Sequence, residues 1–164
     1  MTDQRIELLQ GMSVFGGIRE EMLARLLGRA RTVDVKTGEF FFREGETGNS
    51  AFVLEKGRVA IVKTWKGEEY FLRSLGAGDC FGEVALMDFF PRSASVAASE
   101  DCRAIEFHGH DLLELAKEDM EQFSIVYMNI GRDLARRLRE ANELLFQARI
   151  RYEDVAEGYA FRST

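Results

Sequence analysis

The residues best placed to do chemistry sit in one stretch, Phe81-Gly82-Glu83-Val84-Ala85-Leu86-Met87-Asp88-Phe89-Phe90-Pro91-Arg92-Ser93-Ala94-Ser95-Val96. It reads as a strand end, a glycine, a carboxylate, a short apolar turn and then Pro-Arg-Ser. Val84 to Met87 have helical rather than alternating character, so the spacing predicts a short helix there. A helix start presents free backbone N–H groups and a positive dipole end, which suits an anion. Arg92 adds a guanidinium able to grip a phosphate in a bidentate way, and Glu83 can accept a hydrogen bond from a hydroxyl. One cation for a phosphate and one carboxylate for a sugar hydroxyl point to a nucleotide monophosphate. Pro91, the single proline against fifteen glycines, fixes φ immediately before that arginine.

These residues need a frame to hold them. Glycines recur about every ten residues at Gly38, Gly48, Gly57, Gly67 and Gly76, with Gly45, Gly78 and Gly82 alongside. Between them lie β-branched and aromatic segments at 32–36, 40–43, 51–54, 59–64 and 70–75, and further strands are expected at 95–98 and 104–107. Short strands with turn signals at even spacing predict a mainly β fold of the α+β kind: an eight-stranded antiparallel jelly-roll, or β-roll, over residues 31–108. Helices flank it. Residues 4–10 end at Gly11, and residues 20–30 place Met22, Leu23, Leu26 and Leu27 on one face. A helix over 111–117 is expected to take His110 or Asp111 as its cap. From Met120 a helix of about thirty residues follows, with Tyr127, Ile130, Leu134, Leu138, Ala141 and Leu145 at spacings of three and four. That stripe either packs on the roll or pairs with the same helix of a second chain. The domain is thus expected over 1–147, with helices at 4–30 and 110–147. Residues 148–164 are read as a tail, either a lid bearing aromatics such as Tyr152, Tyr159 and Phe161 or a disordered end.

Composition excludes several classes. The 164 residues suit one domain, with a formal net charge of -6 that disfavours non-specific nucleic-acid binding. Apolar runs stop at four or five residues, so no membrane span is expected. Two cysteines, Cys80 and Cys102, do not make a disulfide scaffold and are consistent with a reducing cytoplasm. Two histidines, His108 and His110, argue against a metal enzyme of the cupin type, which needs several on inward-facing strands, and against two-metal phosphodiester chemistry. His108-Gly109-His110 reads as cap and turn. No metal or cofactor and no catalytic activity are expected.

The FGE start, the apolar turn, the PRSASV end, the glycines of the roll, Gly38-Glu39, Glu44-Gly45 and the flanking helices together resemble the cyclic nucleotide-binding domain. That module occurs in catabolite activator proteins, cyclic-AMP-dependent kinase regulatory subunits and cyclic-nucleotide-gated channels. The resemblance covers roughly residues 5 to 147, and the eight residues between Glu83 and Arg92 match the kinase-type cassette in spacing. It implies that Arg92 pairs with the exocyclic phosphate, helped by backbone N–H groups at Ala85 and the Ser93–Ala94 turn. It implies that Glu83 takes the ribose 2′-OH with the Gly82 backbone close by. Val84, Leu86, Val62 and Leu72 are then candidates for apolar contacts with sugar and base. Ser93 departs from the Ala of kinase-type cyclic AMP sites and from the Thr of cyclic-GMP-preferring ones.

Ala135-Arg136-Arg137-Leu138 resembles the helix segment in which an arginine pairs with the cassette glutamate, so Arg137 is the expected partner of Glu83. The next turn, Ala141 and Asn142, should then lie over the purine. The implied protein is a receptor for a cyclic nucleotide, cyclic AMP ahead of cyclic GMP, that repositions its C-terminal helix and dimerises through it to signal to a downstream protein. Nineteen residues follow Leu145, against the about seventy of a winged helix-turn-helix, so no nucleic-acid binding by this chain alone is expected. The competing expectation is a scaffold of the same fold with an empty pocket.

Overall fold

The computed structural model describes residues 2–160, with side chains over 4–152. It divides into two units, Met1–Asn129 and Ile130–Thr164. The first opens with α1 (Thr2–Gln10), a 3-10 turn (Ser13–Phe15) and α2 (Glu20–Arg29). Gly11 closes α1 as expected, its N–H reaching the Glu7 carbonyl at 3.1 Å. Eight strands follow: β1 (Arg31–Val35), β2 (Phe40–Phe42), β3 (Ser50–Lys56), β4 (Arg58–Trp65), β5 (Glu68–Gly76), β6 (Cys80–Phe81), β7 (Ser95–Ala98) and β8 (Cys102–His108). A short helix, α3 (Glu83–Asp88), is inserted between β6 and β7; α4 (Gly109–Glu118) and α5 (Met120–Ala160) close the chain.

The strands form two antiparallel four-stranded sheets, ordered β1-β8-β3-β6 and β2-β7-β4-β5. The eight-stranded roll, the N-terminal helices and the long C-terminal helix are therefore as expected. The space between the sheets is filled by side chains such as Phe42, Phe52, Leu54, Val59, Leu75, Phe81 and Ala104. Two-residue alternation on β8 explains its double duty. Cys102 and Ala104 point into that core, whereas the ring of Phe107 faces the other way and meets Phe15 of the 3-10 turn at 5.7 Å. β3 is buried on both faces over Ser50–Leu54, which is why its sequence reads as an unbroken apolar run rather than an alternating one.

Two details differ from the sequence expectation. The cap of α4 is His108, not His110 or Asp111. Asp111 occupies the third helical position, and its carboxylate accepts the His108 backbone N–H at 3.0 Å, the reach-back half of a capping box. The final helix is also longer than about thirty residues. Residues 148–160, read as a tail, continue α5; the side chain of Tyr159 and all of Phe161 lie outside the described residues. The start of α5 is part of the first unit, where the Asn129 amide donates to the carbonyls of Val14 (3.2 Å) and Gly16 (2.8 Å). Arg19 pairs with Asp119, and Arg25 and Arg29 both pair with Glu118, lashing α2 to the end of α4.

Candidate functional site

The site is built where α3 interrupts the roll. Gly82 precedes the helix with φ +79, in the left-handed region, and a Cβ there would stand 2.9 Å from Arg92 Nη1 and 3.1 Å from the Ser50 carbonyl. Both the backbone angle and the close approach call for glycine. Glu83 is the first residue of α3 and is only 2% exposed; Ala85 and Leu86 are buried behind it. The first-turn N–H groups of a helix have no intrahelical partner, and no side chain caps those of α3. The helix stops after one and a half turns because Phe89 also enters the left-handed region, at φ +59.

Arg92 is 6% exposed, an unusual degree of burial for an arginine. Its Nη1 donates to the carbonyls of Ser50 (2.7 Å) and Gly82 (2.9 Å), and its Nη2 to the Ser50 hydroxyl (3.0 Å). The guanidinium carbon stands 4.0 Å over the Phe42 ring, a cation–π arrangement. Burial pushes the arginine's pKa down, while the charges of Glu106, Glu46 and Glu83 push it back up. Three of its five N–H donors are engaged in these bonds. The remaining pair is on the Nε–Nη2 side, where a planar guanidinium presents two parallel donors to an oxyanion.

The backbone around Arg92 is clamped to the β2–β3 connection. Its N–H donates to the Glu46 carbonyl (2.8 Å), its own carbonyl accepts from Gly45 (2.9 Å), and the Glu44 N–H reaches the Ser95 hydroxyl (2.8 Å). Lys63 on β4 bridges the Ser93 carbonyl (2.9 Å) and the Glu44 carboxylate (2.8 Å), and that lysine bond is the chief cause holding Glu44 below its ordinary pKa. The proline-led turn is thereby held by two neighbouring segments.

The other anticipated residues distribute as follows. Val84 is half-buried on α3, Ala94 packs against the inter-sheet core, Ser93 is exposed, and Val62 is buried on β4 opposite Phe71 and Ser95. Leu72 is 54% exposed and falls at the register shift between the pairs Ile61–Arg73 and Val62–Phe71, so it is the extra residue of a β-bulge. Arg137 and Asn142 belong to the second unit. There Arg137 pairs with Asp133 one turn earlier at 2.7 Å, and Asn142 is exposed.

Four residues around the arginine were not singled out from sequence. Ser50 and Phe42 form its seat. Gly48 leaves room for it, since a Cβ at that position would come within 2.6 Å of Cζ and Nη2. Glu106 is the carboxylate whose charge acts on it most strongly. The available signals were weak: Gly48 reads as one more turn glycine, and Glu106 emerges only from alternation along β8. Among the described residues no three His, Cys, Asp or Glu side chains could hold a metal ion, and no helix is long and apolar enough to cross a membrane.

Known proteins resemble this chain in sequence and fold. The cyclic AMP receptor protein of Thermus thermophilus is 32% identical over 135 residues, 82% of this chain and 61% of that protein. The human cGMP-dependent protein kinase 2 is 26% identical over 137 residues, 80% of this chain but 18% of the kinase. The crystal structure of the Thermus thermophilus catabolite activator protein superposes with a TM-score of 0.72 at 32% identity, covering 81% of this chain and 61% of that one. The chain thus spans about three-fifths of the length of these activators. The family model for the cyclic nucleotide-binding domain matches residues 32–119, a span that runs from β1 through α4 and includes α3 and Arg92, so the chain belongs to the cyclic nucleotide-binding domain family.

Proposed function

We propose that this chain is a non-catalytic cytoplasmic receptor for a cyclic nucleotide, cyclic AMP ahead of cyclic GMP. Arg92 takes the exocyclic phosphate, with the N–H groups of Ala85 and of the Ser93–Ala94 turn. Glu83 accepts the ribose 2′-OH beside the Gly82 backbone. Val62, Val84 and Leu72 contact sugar and base, and Arg137 and Asn142 approach from the C-terminal helix. That helix changes position when ligand binds and pairs with its counterpart in a homodimer, from which a downstream protein reads the signal; no nucleic acid is bound by this chain itself. Residues 1–147 form the sensing domain in this reading.

The observation that carries it is the buried Arg92. A guanidinium withdrawn from water costs several kcal/mol unless its donors are satisfied, and three protein bonds leave a bidentate edge for an anion. A buried carboxylate at the start of α3 completes the pairing that a nucleotide's phosphate and sugar require. An empty scaffold has no use for either costly group.

Isothermal calorimetry of the chain with cyclic AMP and with cyclic GMP tests this. Micromolar binding of one of them is expected. Arg92→Lys retains the charge but lacks the planar fork, so it should weaken binding by at least about tenfold, about 1.4 kcal/mol. Binding of neither nucleotide below millimolar Kd, or equal binding by Arg92→Lys, refutes the assignment.

A further inference from the structure

The inner face of β4 outruns the core. Val59 and Ile61 point between the sheets, and by the two-residue repeat the same face next carries Lys63 and Trp65, both exposed where the roll opens. β5 answers in register. Tyr70 lies opposite Lys63 and Glu68 opposite Trp65, and directly opposed residues of an antiparallel pair share a face. Trp65 (66% exposed) and Tyr70 (48%) are thus diagonal neighbours on one face, about 7–8 Å apart and within reach of each other's rings. The Tyr70 phenol donates to Glu68 at 3.4 Å, and the Lys66 ammonium lies 5.8 Å from the Trp65 ring centre. Lys63 links this pair to the cassette, because its ammonium donates at 2.9 Å to the carbonyl of Ser93, one residue past Arg92. The ligand reading so far uses neither aromatic.

We propose that Trp65 and Tyr70 form a stacking platform for the purine base of the cyclic nucleotide whose phosphate is held by Arg92. The proposal rests on the ligand reading above. A nucleotide gripped by its phosphate on Arg92 and by its 2′-OH on Glu83 is fixed at the sugar, and its base hangs from the carbon next to the one bearing that hydroxyl. The base must therefore leave the polar cassette toward the open end of the roll, where a flat heteroaromatic ring gains from an aromatic face to lie on. Every base has such a face, so a platform of this kind holds adenine and guanine alike.

Scattered exposed apolar residues are ordinary on a protein surface, but here two large aromatics converge on one face beside a buried arginine. Lys63, Lys66 and Glu68 border the two rings, which suits a small aromatic ligand better than the broad apolar centre of a protein interface.

Trp65 is the single tryptophan of the sequence, so its emission reports on the platform without any substitution. Titration of the whole chain with cyclic AMP and with cyclic GMP, followed by fluorescence and by calorimetry, should change the Trp65 emission with the same Kd that calorimetry gives. Trp65→Leu combined with Tyr70→Leu, apolar but not aromatic, should weaken nucleotide binding by at least about fivefold. Trp65→Phe combined with Tyr70→Phe keeps two aromatic faces and should bind within about twofold of the natural chain. Thermal melts check that both double variants are folded. Calorimetric binding with no change in Trp65 emission, or a leucine variant that binds as tightly as the natural chain, overturns the platform and leaves the ligand reading standing. An equal loss in the phenylalanine and leucine variants assigns the effect to packing and overturns it too. Absence of calorimetric binding by both nucleotides refutes the ligand reading itself, and the platform with it.

Discussion

Gly48→Ala is a small substitution that should reach the centre of the site. No left-handed backbone angle is involved at Gly48; the constraint is space, because the new Cβ would stand 2.6 Å from both Cζ and Nη2 of Arg92. Either the β2–β3 connection shifts or the guanidinium leaves its seat. The side chain is the softer element, so it should move, breaking its bonds to Ser50 and Gly82. Charge-assisted bonds are worth about 1.5–3 kcal/mol each, an upper limit near 5–9 kcal/mol for three. Rehydration of the freed cation returns most of that, leaving a net loss of about 1–2 kcal/mol, comparable to mild overpacking.

Thermal melts read this as a fall of about 2–8 °C for a domain of this size. Gly76→Ala is the control, since nothing lies within 4 Å of its Cβ position and its φ is ordinary; it should melt with the natural chain. A double-mutant cycle isolates the cause. Once Arg92 is truncated the clash disappears, so Gly48→Ala combined with Arg92→Ala should be no less stable than Arg92→Ala alone. Additive losses in that cycle, or a Gly48→Ala protein that melts and binds nucleotide like the natural one, would refute the packing argument.

Two further outcomes follow from the geometry of the roll's opposite end. Gly57→Ala should cost more than Gly48→Ala, at least about 2 kcal/mol by chemical denaturation, because its Cβ would meet backbone, the Asp101 carbonyl at 2.7 Å and Cys102 Cα at 2.9 Å, at φ +94. Asp101 is held down to about 2, first by the Lys36 ammonium at 2.7 Å and then by the N–H and hydroxyl of Thr37. Its depressed folded value means that its contribution is complete above the ordinary carboxylate value near 4 and disappears as pH falls from there to about 2. The stability gap between the natural chain and Asp101→Asn should therefore be constant at neutral pH and close below pH 4; a gap unchanged at pH 2 would show that the ion pair contributes nothing.

The chain's order of strands and helices was legible in its sequence because the signals are local. Glycine spacing marks the turns of a roll, two-residue and three-to-four-residue periods separate strands from helices, and the cassette from Gly82 to Ser95 is one continuous stretch. Local rules also failed locally. His110 and Asp111 look like caps by residue type, yet α4 begins at Gly109, two residues earlier than its periodic pattern suggests, so His108 at the end of β8 is the cap and Asp111 answers it. Leu72 reads as an ordinary residue of β5, and only the strand register shows it to be the extra residue of a β-bulge.

Sequence by itself thus determined that Glu83 and Arg92 flank a short helix, since the eight residues between them, ending in a proline, leave few alternatives. Only the tertiary structure decided what surrounds the arginine. Ser50, Gly48 and Phe42 come from the β2–β3 region, and Glu106 and His108 from β8, segments more than forty residues apart along the chain. Their meeting depends on strand register, and register is set by how the sheet's buried face packs as a whole, not by any short run of residues.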